Sequence, residues 1–134
     1  MAKLTADMKQ AFNSVTLFPF ATSTDSGIPN VVPVKYIFIE KDDELWIVNN
    51  FMSKTIKNMT QNPQAALYVY ATDINLCCQI KGKISIQTSG DKYDRMKSKI
   101  HKILPTAPAK SLVVMKVTDI YQCAPGPNAG EKIC

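Results

Sequence analysis

The chain has 134 residues, 46% of them apolar and 20% charged, which fits one globular domain spanning 1–134 with a core that stands without metal or disulfide support. Sixteen basic residues against eleven acidic ones leave a net charge of +5, a lean toward anionic partners too modest to define one. No apolar run approaches the roughly 20 residues of a membrane span, and the polar opening MAKLTADMKQAF has no signal-peptide core, so the expected compartment is the cytoplasm.

Thr5 is placed to cap a helix over 6–13, with Met8, Ala11 and Phe12 on its apolar face. A strand over 16–23 follows. The turn-rich TDSGIPN (24–30) leads into a second strand over 30–40. Pro33 lies inside that strand, and since proline cannot donate to a ladder it marks an edge or a bulge. KDDE turns the chain into a third strand over 45–49. A short helix over 54–60 stops before Asn62 and Pro63. A fourth strand covers 65–71. The fifth, 76–88, alternates cleanly: Cys78, Ile80, Ile84 and Ile86 share one face, and Cys77, Gln79, Lys81 and Lys83 the other. Gly82 in its middle suits a bulge or a barrel bend. A helix over 91–104 carries the apolar stripe Tyr93, Met96, Ile100, Ile103 and Leu104. A last strand over 112–121 precedes a Pro/Gly-rich tail. Six strands joined by mostly hairpin-length links predict a mainly β, α+β fold: a six-stranded antiparallel split β-barrel with peripheral helices.

The junction NNFMSKTIKNM (49–59) raises a chemical question. A helix start offers unpaired N–H groups and a partial positive charge, yet Lys54 and Thr55 occupy its first turn after Ser53. A lysine there is mildly unfavourable unless an anion offsets it, and the donors together make up a phosphate site. The same residues also fit a plain cap with a solvated lysine, and both readings stand at this point.

Cys77, Cys78, Cys123 and Cys134 show no C-x-x-C spacing, and His101 is the single histidine, so no metal site is expected. Buried reduced thiols are the simplest account of the cysteines. Neighbours in a strand point to opposite faces, which places Cys78 in the core and Cys77 on the polar face. Lys92, Arg95, Lys99 and Lys102 recur at helical spacing. Such a stripe can meet nucleic-acid phosphates, but without an arginine cluster or aromatic platform it reads better as a solvated face.

Taken in order, GIPNVVPVKY, LWIVNNFMSKTIKNM, NPQAALYVY and CCQIKGKISIQTSG resemble the pyridoxamine 5'-phosphate oxidase-like split barrels that bind FMN, in the manner of their short FMN-binding members, over residues 17–121. The resemblance implies a homodimer with FMN in clefts between the subunits. It implies that Lys54 and Thr55 hold the phosphate beside Ser53, and that Val32, Pro33, Val34 and Lys35 lie along the flavin ring. It further implies that Val48, Asn49 and Asn50 border the ribityl chain, and that Cys77 and Gln79 supply a further contact. Lys35 would set a cation near the pyrimidine edge. The distinctive basic C-terminal segment of the larger oxidases is not matched by the ending GEKIC, which argues against true pyridoxamine 5'-phosphate oxidase activity. Whether the chain is an enzyme, and with which small-molecule or protein redox partner, is left open. A deazaflavin on the same barrel is the main alternative, because its phosphate suits the same helix start. A haem ligand is disfavoured by the lone histidine, and a cofactor-free partner-binding barrel is the remaining alternative.

Overall fold

In the computed structural model, which describes residues 2–134, the Thr5 hydroxyl accepts the Met8 N–H at 3.3 Å and opens α1 (Ala6–Ser14). Met8, Ala11 and Phe12 are its buried face. There follow β1 (Phe18–Ser23), β2 (Pro29–Val34), β3 (Ile37–Lys41), β4 (Glu44–Asn49), α2 (Lys54–Gln61) and β5 (Gln64–Ala71). The chain closes with β6 (Leu76–Gln87), α3 (Asp91–Ile103) and β7 (Ser111–Gln122). The strands form one sheet in the order β2-β1-β5-β6-β7-β4-β3, and every neighbouring pair is antiparallel.

The mainly β, α+β architecture is as expected, but the sheet has seven strands rather than six and is not a closed barrel. The difference lies in the segment 30–40. Its apolar pattern runs on without interruption, yet β2 pairs with β1 and β3 pairs with β4. Those partners lie toward opposite ends of the sheet, so one continuous strand cannot serve both. Lys35 and Tyr36 carry the chain from one edge to the other, and the Tyr36 carbonyl accepts the Val48 N–H at 3.1 Å. The two edges are thus drawn together by a two-residue link, with no ladder between them.

The main core lies inside the curl of the sheet. Phe20, Leu45, Ile47, Leu67, Ile80 and Met115 are among its fully buried members. A second cluster sits outside, where Met96 and Ile100 of α3 cover Trp46, Val48, Leu112 and Val114. This explains why every residue of β4 is buried: one face meets the core and the other meets α3. Ile103, expected in the α3 stripe, is 59% exposed instead, because the helix ends there and Leu104 turns the chain away.

Gly82 sits where the β6–β7 register shifts. A Cβ at this position would stand 2.5 Å from the Lys116 carbonyl oxygen and 2.8 Å from Met115 Cγ. Only glycine allows the two strands to approach this closely.

Candidate functional site

β2 is an edge strand, and Pro33 lies directly opposite Pro19 of β1. Neither proline has an N–H, so the ladder bonds fall to the flanking pairs, Phe18 with Val34 and Phe20 with Val32. The main-chain groups of Val31 and the carbonyl of Pro33 then face the open edge.

Across that edge stands the start of α2. The first closed helical bond is from the Lys57 N–H to the Ser53 carbonyl, 3.2 Å, so the N–H groups of Lys54, Thr55 and Ile56 lie outside the helical ladder. Ser53 occupies the cap position, but its side chain makes no capping bond, and the first turn holds no acid. Ser53 and Lys54 are exposed. Thr55 is buried, and its hydroxyl accepts from Asn30 Nδ2 at 3.1 Å. Asn30 and Asn58 also donate to Thr22 Oγ1, at 3.2 and 3.1 Å. These amides fasten α2 to β1 and β2 and fix where its N-terminus points.

Two asparagines hold the loop between β4 and α2. Asn49 accepts the Met52 N–H and donates to Ser111 Oγ, each at 2.9 Å. Asn50 Oδ1 accepts the Ala109 N–H, also at 2.9 Å. Phe51 is left 80% exposed at the rim, with Lys110 Nζ 6.0 Å from its ring centre.

Between the β2 edge and this junction lies a cavity of about 510 Å³. Val32, Pro33, Val34, Tyr36 and Val48 form its apolar side, with Met52 and Leu104. Asn30, Ser53, Lys54 and Thr55 form a polar end, and Lys35, Asn50 and Phe51 complete the lining. Two lysines and no carboxylate border the space, which suits an amphiphilic anion: an apolar planar part along the strand, a phosphate at the helix start.

The structure therefore brings Val32, Pro33, Val34, Lys35, Val48, Asn50, Ser53, Lys54 and Thr55 around one space. Asn49 supports that space from behind rather than lining it. Cys77 and Gln79 are not among its residues. They lie on β6, opposite Tyr70 and Tyr68 of β5. Cys77 is buried at 6% exposure, with its Sγ 2.7 Å from Cys123 Sγ, so the polar-face position that the family resemblance made a ligand contact is covered within the chain. Tyr36, Phe51, Met52 and Leu104 were not legible as lining residues, since Leu104 arrives from the far end of α3 with no local signal. His101 Nε2 is engaged with the Ala107 carbonyl at 3.0 Å.

Residues 4–124 match the pattern that defines pyridoxamine 5'-phosphate oxidase. The chain belongs to the pyridoxamine 5'-phosphate oxidase family. An uncharacterized protein of Methanocaldococcus jannaschii is 33% identical over 99% of this chain and 89% of its own length. Among solved structures, HupZ of Group A Streptococcus is 26% identical with a TM-score of 0.81, covering 95% of this chain and 99% of that one. An FMN-binding protein of Syntrophomonas wolfei shares the fold at 17% identity, with a TM-score of 0.71 over 82% of this chain and 78% of that one. Among the described residues no helix is long and apolar enough to cross a membrane, and no group of three or more metal-ligating side chains occurs.

Proposed function

We propose that this family member is an FMN-binding redox protein, with FMN in the cavity between β2 and the start of α2. The observation that carries the reading is the pairing of an apolar wall along an edge strand with a cationic, donor-rich helix start whose cap hydroxyl is uncommitted. Lys54, Ser53 and the first-turn N–H groups hold the phosphate, and Thr55 supports them through Asn30. The outward main-chain groups of β2 orient the flavin, and Val34, Val48 and Met52 exclude water from one side of it. Lys35 places its positive charge at the same edge, where it favours a reduced, anionic ring. Bound FMN supplies electron or hydride transfer, and the protein supplies position and charge.

The working unit in this proposal is a homodimer. The outer face of β2, β1 and β5 presents Val31 at 66% exposure, Tyr68 at 43% and Tyr70 at 45%, an apolar surface of the kind that marks an interface. Gln79 borders that face beside Tyr68, so a second copy packed across it would complete the cofactor's surroundings.

Spectroscopy and titration test the proposal. Purified protein is examined for a flavin spectrum, and the released chromophore is identified by mass. Apoprotein is then titrated with FMN and, side by side, with a phosphate-bearing deazaflavin. Quenching of FMN fluorescence at one site per chain supports the reading. Colourless protein that leaves FMN fluorescence unchanged overturns it, and selective binding of the deazaflavin replaces FMN with that cofactor.

A further inference from the structure

Cys77 and Cys123 are separated by 46 positions in sequence, yet their sulfurs lie 2.7 Å apart. The contact is a product of register. Cys78 pairs with Gln122 at the end of the β6–β7 ladder, and one step further the Cys123 N–H donates to the Cys77 carbonyl at 3.1 Å. The two cysteines are therefore direct cross-strand neighbours. Opposed residues of an antiparallel pair hold their Cα atoms at roughly 4.5–5.5 Å, inside the range a disulfide spans. Neither sulfur has to be carried to the other by a movement of the chain.

The tail beyond Cys123 turns back on the end of β7. The Gln122 N–H donates to the Glu131 carbonyl at 2.8 Å, and the Ile133 N–H to the Ile120 carbonyl at 2.7 Å. Lys132 pairs with Asp119 at 2.9 Å, and Cys134 packs against the main core. The tail is held by a few main-chain bonds and an exposed ion pair, and Cys123 stands at its root.

We propose that Cys77 and Cys123 form a reversible intrachain disulfide, a modification site that clasps the root of the tail to β6. In the forward step the thiolate of one cysteine attacks a low-molecular-weight disulfide and releases one small thiol. The second cysteine then displaces the other small thiol. Two protein thiols become one S–S bond while the small disulfide is reduced to two thiols, so electrons and protons balance. Burial, with Cys77 alongside, pushes the Cys123 thiol up to about 12, so at neutral pH Cys123 rests as a thiol. Exchange accelerates as pH rises toward that value. Cys78 is a poor competitor: burial, with Cys77 and Cys134 nearby, pushes it up to about 12 as well, and it is 1% exposed in the core. Neither sulfur lines the cavity, so the disulfide stands or falls independently of the cofactor.

The test uses the full chain, refolded from denaturant in a glutathione redox buffer so that access to the sulfurs does not limit the outcome. After acid quench, thiols are counted and the link is mapped by mass spectrometry. The expected result is a chain lighter by two hydrogens, with two of its four thiols lost and Cys77 joined to Cys123. Cys134→Ser should retain the link, and Cys123→Ser should abolish it while keeping the folded circular-dichroism spectrum. A retained glutathione adduct, a link between any other pair, or four free thiols under buffer that oxidises an ordinary structural dithiol overturns the proposal. So does a Cys123→Ser chain that still loses two thiols.

Discussion

Asn50 Oδ1 accepts the N–H of Ala109 at 2.9 Å, and Ala109 is a buried residue held at a φ of +44°. The left-handed region is strained for alanine, so one side chain from the β4–α2 loop stabilises an unfavourable turn in the α3–β7 connection. Replacing Asn50 with Ala leaves that buried N–H without a partner, at a cost of about 1–3 kcal/mol. It also loosens the loop bearing Phe51. Urea unfolding should show the loss, and FMN titration of the same variant should show weaker binding. Ala109→Gly in the Asn50→Ala background should recover part of the stability by relieving the turn.

Lys54 should decide how tightly phosphate is held. Losing one charge-assisted hydrogen bond costs about 1.5–3 kcal/mol, or roughly tenfold to a hundredfold in affinity. Fluorescence titration of Lys54→Ala with FMN should show that drop, and the effect should be much smaller with riboflavin, which has no phosphate. A Lys54→Ala protein that holds FMN as tightly as the parent would move the phosphate elsewhere.

Gly82→Ala tests the close approach of β6 to β7. The added methyl meets a backbone oxygen, which cannot swing aside as a side chain can. Overpacking of this kind costs about 1–3 kcal/mol. The expected outcome is a lower urea midpoint with an unchanged secondary-structure spectrum.

Glu44 links acid stability to the docking of α3. Burial alone would push its carboxyl up from the ordinary value of 4.5, but bonds from the Trp46 indole (2.9 Å) and the Lys92 ammonium (3.2 Å) outweigh burial and hold it below that value. A carboxyl depressed in the folded state adds stability above its unfolded value, and that stability is lost as pH falls through the folded value. Asp43 beside Lys116 and Asp119 beside Lys132 are lowered too, so urea midpoints should fall as pH drops below about 4.5. Glu44→Gln should flatten part of that slope. Glu44→Ala should cost more than Glu44→Gln at neutral pH, by about 1–3 kcal/mol, because the buried indole N–H loses its acceptor.

Local chemistry was readable where it was self-contained. Thr5 as a cap, Gly82 as a bulge, and the parity of Cys78, Ile80 and Ile84 each depend on residues within a turn or a strand. The helix start at Ser53, Lys54 and Thr55 was equally visible, since cap position and charge are local properties. The split of 30–40 into two strands was not, because both halves carry the same apolar pattern and only the choice of partner, a property of the whole sheet, divides them. The Cys77–Cys123 contact was invisible for a related reason: register between β6 and β7 brings the sulfurs together, whereas alternation within β6 alone turned Cys77 outward. Tyr36 and Leu104 reach the cavity from a crossover link and a helix end, neither of which announces its destination.

The seam between β2 and β3 has a mechanical consequence. A closed barrel can widen only by tearing a row of bonds, but here β2 and β3 are joined through Lys35 and Tyr36 alone, and the bond from Val48 to Tyr36 simply continues the β3–β4 ladder. Widening at this point tears no ladder, and a guest lodged along it would act as the missing rung. On the proposed reading, loading and release would leave all six ladders of the sheet zipped.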